Sequence, residues 1–198
     1  MIFDPLYLLV IGIGFGLSLY ASTITKGRFR KYSQYTTRSR MTGADIARSI
    51  LEDNNIRDVK VERIPGELSD HYDPRTKVLR LSEPVYDSNS MAAFGVAAHE
   101  VGHAIQHAKS YSMLQFRSAW VPVANFGGGI STFVIILAFF MGGAASATGS
   151  TLAWLGVLLF GCTTVFTLVT LPVEFDASKR ALVCLKQGNY VTEKELDG

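Results

Sequence analysis

The stretch that decides the fold is SAWVPVANFGGGISTFVIILAFFMGGAASATGSTLAWLGVLLFGCTTVFTLVTLPV, residues Ser118 to Val173. It contains no Asp, Glu, Lys or Arg. A helix that crosses a bilayer needs about 20 apolar residues, so the stretch holds two crossings and a turn between them. The small, Gly-rich run from Gly142 to Ser150 supplies the turn. Two crossings return the chain to the side it left, so Glu174, the first charge after the run, lies on the same side as everything before Ser118. Burial of both segments inside a soluble core is the competing reading. It fits poorly, because uncharged runs of this length are rare in soluble domains.

A second uncharged run, Pro5 to Thr25, fits one more crossing. No basic residue precedes it, which argues against a cleaved signal peptide. Lys26, Arg28, Arg30, Lys31, Arg38 and Arg40 follow it before any acid appears. By the positive-inside rule that side is cytoplasmic. The cluster suits anionic lipid headgroups better than nucleic acid, since it abuts an apolar run and the formal net charge is only +2. No nucleic-acid partner is expected. Cys162 and Cys184 form no framework and are expected to be free thiols.

Four segments follow: residues 1–25 as an N-terminal transmembrane helix, 26–117 as a cytoplasmic part, 118–173 as two transmembrane helices with a short external turn, and 174–198 as a cytoplasmic helix and tail. The fold class is α+β, mainly helical. Within 26–117, Met41 to Asn55 reads as an amphipathic helix capped by Thr42, with Ile46, Ala47, Ile50 and Leu51 as its apolar stripe. Val59 to Arg63 and Lys77 to Leu81 read as short strands, the second preceded by a turn at Asp73 to Thr76 and stopped by Pro84. A helix runs from Met91 to about Lys109, capped from Ser88, Asn89 or Ser90.

That helix carries AAHEVGHAIQH, residues Ala97 to His107. His99 and His103 are four apart, on one face, where both imidazoles can address a single metal ion. Glu100, displaced by one position, flanks such an ion as a base. The pattern is the H-E-x-x-H of zinc peptidases. The bland alternative is a histidine-bearing surface helix without metal, but the motif sits among small apolar residues. Gly95, Ala97, Ala98, Gly102 and Ala104 remove bulk and let another backbone approach.

A catalytic zinc site needs a third protein ligand and an open fourth position. His107 lies two turns beyond His99, about 12 Å along the axis at 1.5 Å per residue, too far to share the ion, and reads as supporting or structural. His71 sits in a polar turn. Glu174 is the remaining candidate, brought to the right side by the two crossings.

HEVGHAIQH, LSDHYDPRTKVLRLSEPVY and LVTLPVEFDASKRA together resemble the bacterial membrane-bound neutral zinc metallopeptidases called YugP-like, and the likeness runs through nearly the whole chain. It implies a gluzincin-type endopeptidase with a small zincin-like cytoplasmic part carrying a short β hairpin. It further implies one zinc ion held by His99, His103 and Glu174, Glu100 as general base, and a site facing the cytoplasm at the bacterial inner membrane. Peptides or membrane proteins are the implied substrates. The broader gluzincin pattern has Glu-x-x-Ala-Asp. Here the run is Glu174-Phe175-Asp176-Ala177-Ser178, so Ser178 or Asp176 is left to orient a ligand histidine. Members of that family tend to continue into a further hydrophobic segment. In the resembling proteases a strand near the site pairs with substrate. Lys77 to Leu81 is the candidate, with His71 or Arg180 as an oxyanion donor. Alternatively, His71 caps a turn and Arg180 pairs with Asp176 or meets lipid headgroups.

Two other functions compete. One is an intramembrane site-2-type protease, suggested by the terminal Leu196-Asp197-Gly198; Lys194 and Glu195 beside it argue against an apolar setting. The other is a non-catalytic zinc-binding membrane scaffold, although structural sites usually have four Cys or His ligands. Oligomeric state is not legible in the sequence.

Overall fold

The computed structural model describes residues 5–196; Met1 to Asp4, Asp197 and Gly198 lie outside the described residues, and with them the end of the Leu-Asp-Gly run. The chain is mainly helical. Helix α1 spans Pro5–Tyr32, α2 Gly43–Asp53 and α3 Glu83–Tyr86. Helix α4 spans Met91–Ala108, α5 Ser112–Phe140, α6 Ala147–Gln187 and α7 Glu193–Leu196. Strands β1 (Lys60–Ile64), β2 (His71–Asp73) and β3 (Val78–Ser82) form one sheet in the order β1-β3-β2.

Helix α2 starts where its chemistry dictates. The Thr42 hydroxyl accepts from the Asp45 backbone N–H at 3.1 Å, and the Asp45 carboxylate accepts from the Thr42 N–H at 3.1 Å, a reciprocal cap. Its stripe of Ile46, Ala47, Ile50 and Leu51 is buried, as the sequence pattern requires. Helix α4 is capped by Ser90, whose hydroxyl accepts from the Ala93 N–H. Phe94, Ala97, Val101 and Ile105 of α4 join the α2 stripe, Leu79 and Leu81 of β3, Val85 of α3, and Ala181 and Leu185 of α6 in one core.

The β hairpin is present as β2 and β3, but β1 adds to it in parallel, so the sheet is mixed. Strand β3 is the middle strand, not an edge. Val78, Leu79, Leu81 and Ser82 are all buried, so the alternation expected from Lys77 to Leu81 fails. A strand covered on both faces has no polar face to display. Lys77 itself sits in the turn at φ 53°. Pro84 ends the strand by opening α3, a turn the sequence reading missed; its fixed φ suits a first helical turn.

Helices α5 and α6 form an antiparallel pair, and both are long and apolar enough to cross a membrane. Burial is low: 18% and 6% of their most apolar windows. A core helix of this chain would be covered, whereas Phe126, Phe133, Phe140, Trp154 and Phe160 are bare to the surroundings. The connection is tighter than expected. Ala147 to Ser150 are already helical, leaving Met141 to Ser146 as the turn, with Ser146 capping α6. Glu174 to Lys186 is not a separate helix but the end of α6, which runs unbroken through Pro172. The first expected crossing falls on α1, helical from Pro5 onward, with Ile13, Phe15, Leu17 and Leu19 exposed. The side chains of Leu6, Tyr7, Leu8, Val10 and Ile11 lie outside the described residues.

Candidate metal centre

Helices α4 and α6 cross closely enough to bring distant residues together. A β-carbon on Gly102 would clash with the Ala177 backbone, so only glycine allows this approach. The crossing places Glu174 over the histidine pair. Its Oε2 is 3.1 Å from His99 Nε2 and 3.4 Å from His103 Nε2. The two imidazoles meet edge to face, 4.9 Å between centroids. All three potential ligand atoms lie within 4.8 Å of one another.

The far side of each ring is also engaged. His103 Nδ1 is 3.0 Å from Gln106 Oε1. Gln106 is fully buried, and its Nε2 donates to the Val173 carbonyl and to Asp176 Oδ2, both at 2.8 Å. Two acceptors on the amide nitrogen fix which end of the side chain is oxygen. His103 Nδ1 must therefore donate, and Nε2 is left with its lone pair toward Glu174. His99 Nδ1 is 3.1 Å from the Ser178 hydroxyl, which can accept in the same way. Ser178 thus touches His99 directly, while Asp176 reaches His103 through Gln106. Arg180 Nε closes the chain on Asp176 at 2.5 Å.

Two imidazole Nε2 atoms freed by protonated Nδ1 atoms, plus one carboxylate oxygen, form a donor set that fits zinc. Electrostatics agree. A positive charge shared with the imidazole Nε2 atoms of His103 and then His99, proton or metal ion, holds the Glu174 carboxyl far below its usual range, and Arg117 adds to this. The same carboxylate pulls His99 upward. Glu174 is thus an anion looking for a cation. Glu100 differs: burial pushes its carboxyl above the usual carboxylate range, against the pull of the two histidines.

These residues line a cavity of about 360 Å³ between β2 and the start of α5. His71, Tyr72, Leu114, Arg117 and Ser118 share its wall with His99, Glu100, His103 and Glu174. His71 reaches the cavity, but its Nδ1 is bound to the Ser69 carbonyl at 2.8 Å. His107 turns away. Its Nδ1 meets the Tyr72 hydroxyl at 2.8 Å, and it lines a separate hollow with Asp58 and Lys77. Arg180 is absent from the cavity wall and is spent on Asp176, the alternative the helical spacing offered.

Sequence reasoning missed two contributors. Gln106 sits three residues beyond His103, where a buried amide beside a ligand was a readable signal. Arg117 Nη1 pairs with Glu174 Oε1 at 3.0 Å. It is the last charge before the long uncharged run, as Glu174 is the first after it, and the two-crossing topology that placed Glu174 also places Arg117.

Residues 7–198 match the model of the family described as "Putative neutral zinc metallopeptidase". The chain belongs to this family. It is 44% identical over 183 residues to a protein of Bacillus subtilis (strain 168) named "Putative membrane protease YugP", covering 92% of this chain and 79% of that one. No solved structure matches it. The family description names zinc, the metal that the His99, His103 and Glu174 donor set fits.

Proposed function

We propose that the protein is a membrane-bound zinc metalloendopeptidase whose site lies at the cytoplasmic surface of the bacterial inner membrane. The observation that carries this reading is the convergence of His99 Nε2, His103 Nε2 and Glu174 Oε2 beside a buried Glu100 in an open cavity. His99, His103 and Glu174 would hold one zinc ion. A zinc ion with an open position supplies a water whose pKa falls to about 7.

The chain's own residues do the rest. Glu100 accepts a proton from the attacking water at its carboxylate and returns it to the leaving amine. Its raised affinity for protons, set by burial, lets it hold one between the two transfers. Gln106 and Ser178 keep the ligand imidazoles in the tautomer that leaves Nε2 free. Substrate backbone pairs with the free edge of β2, which borders the cavity, and not with β3, whose edges are both taken. The zincin-like part is thus the sheet with α4 and the end of α6.

Several features support a surface site over an intramembrane one. Helix α4 is covered by α2, the sheet and α6, and is not part of the apolar pair. Phe116 and Trp120 stack at 5.3 Å on the first turns of α5, next to Arg117, as aromatic residues do at headgroup depth. A cavity open at that level suits peptides and juxtamembrane segments of membrane proteins. A structural zinc scaffold is less well served, since it has no use for a buried acid facing a cavity.

The test is metal content and peptide cleavage by the detergent-purified protein beside Glu174→Ala and Glu100→Gln. The reading expects about one zinc in the parent, lost in Glu174→Ala, and retained in Glu100→Gln with cleavage reduced about 10²–10⁴-fold. Full zinc in Glu174→Ala would overturn the ligand set; full cleavage by Glu100→Gln would overturn the base.

A further inference from the structure

We infer that Arg117 is a positioning residue that decides how Glu174 meets the metal: it holds Oε1, so that only Oε2 is offered to the ion. The inference rests on the reading that His99, His103 and Glu174 are the zinc ligands.

A carboxylate can bind a cation through one oxygen or both. A second oxygen on zinc would raise the coordination number and crowd the position needed for water; with one, it stays open. Nothing in a glutamate chooses between these modes, so the choice falls to its neighbours. Here the two oxygens of Glu174 have different partners. Oε2 faces both imidazole Nε2 atoms, at 3.1 and 3.4 Å. Oε1 forms an ion pair with Arg117 Nη1 at 3.0 Å. A guanidinium keeps its charge at any working pH, so the pairing competes for that oxygen throughout. Both side chains are only about one-third exposed (32% and 38%), so the pair is partly shielded from water.

The origin of Arg117 matters as well. Helix α5 supplies no ligand, yet it supplies this bond. Arg117 and Glu174 stand at the two ends of the uncharged hairpin, on α5 and α6. The bond therefore ties the apolar pair to the site. Leu114 and Ser118, on either side of Arg117 along α5, line the same cavity.

The test uses the full chain in detergent, with Arg117→Met, which keeps length but loses charge and donors, and Arg117→Lys, which keeps one donor. Zinc retention against a chelator and the visible spectrum of the cobalt-substituted protein are read beside kcat and KM. For Arg117→Met the expectation is a ten- to hundredfold weaker hold on zinc. The weaker cobalt absorption of a higher-coordinate site should accompany it, with kcat reduced and KM within about twofold of the parent. Arg117→Lys should recover part of the zinc retention, which a folding defect in the methionine variant alone would not predict. Unchanged zinc retention and cobalt spectrum with a raised KM would overturn the inference and make Arg117 a substrate contact. Glu174→Ala, run in parallel, separates the two levels. If it keeps zinc, the ligand reading fails; if it loses zinc while Arg117→Met keeps it, only the positioning role fails.

Discussion

Gly102 and Ala177 touch backbone to backbone: a β-carbon on Gly102 would lie 2.5 Å from the Ala177 carbonyl oxygen. Gly102 precedes His103, and Ala177 follows Glu174 by three residues, so this contact sets the spacing between ligands from different helices. Gly102→Ala should therefore push α4 and α6 apart. The expected cost is about 1–3 kcal/mol of stability, with zinc lost to a chelator more readily than from the parent. Gly95 on the same helix is the control, since a β-carbon there meets nothing within 4 Å. Gly95→Ala should be neutral or stabilising by roughly 0.5–1 kcal/mol, through helix propensity. Thermal unfolding and zinc content of the two variants check this. Equal behaviour would mean that the crossing does not set the ligand spacing.

Gln106→Leu removes the amide that orients His103. It leaves the Val173 carbonyl and His103 Nδ1 without their buried partner. The expected result is a loss of about 1–3 kcal/mol of stability and a ten- to hundredfold weaker hold on zinc. Gln106→Glu should be no better, because it sets a second carboxylate against Asp176 and an acceptor against the Val173 carbonyl. Chelator competition measures this directly. Parent-like zinc affinity in Gln106→Leu would remove the tautomer argument.

Much of this site was legible in the sequence, and for a definite reason. His99, Glu100 and His103 are local, set by the pitch of one helix. Glu174 was reachable because charge is scarce: a topology with two crossings needs only the ends of the uncharged run. The same logic could have found Arg117, at the other end of that run, which the sequence reading missed. What could not be read was the middle of the sheet. Lys77 to Leu81 carries an alternation that suggests one wet face, yet β3 is covered on both, because a parallel partner from β1 is a non-local event. The fate of His107 was equally hidden. Its direction depends on Tyr72, whose hydroxyl, pushed up to about 12 by burial, stays protonated as the partner for His107 Nδ1.

The capping box of α2 should give the cytoplasmic part an acid-sensitive share of its stability. The Thr42 hydroxyl and N–H both donate to the Asp45 carboxylate, which holds its pKa below the ordinary value. A depressed carboxyl favours the ionised folded state. Its contribution is whole above the ordinary carboxylate pKa and is lost as pH falls through the depressed one. Asp45→Asn should flatten the stability profile across that acidic window, with its cost fully present at neutral pH and vanishing below the depressed pKa. Thr42→Ala should cost about 1 kcal/mol at neutral pH. Denaturation of both variants across a pH series tests this. A slope in Asp45→Asn equal to the parent's would assign the acid sensitivity elsewhere.

The orientation of the site can be measured without any activity. The Arg117–Glu174 bond places the start of α5 and the end of the apolar part of α6 on one face, whichever face that is. Our proposal that this face is cytoplasmic rests on the basic run from Lys26 to Arg40. In a variant lacking Cys162 and Cys184, single cysteines at Thr148, exposed where α6 begins, and at Gln187, exposed where it ends, lie at opposite ends of that helix. An impermeant maleimide added to intact cells should label position 148 and spare position 187 until the membrane is opened. Labelling of 187 alone would turn the site outward and leave the geometry of the centre intact. Labelling of both in sealed cells would mean that α6 does not cross the bilayer, and the membrane reading of the hairpin would fall with it.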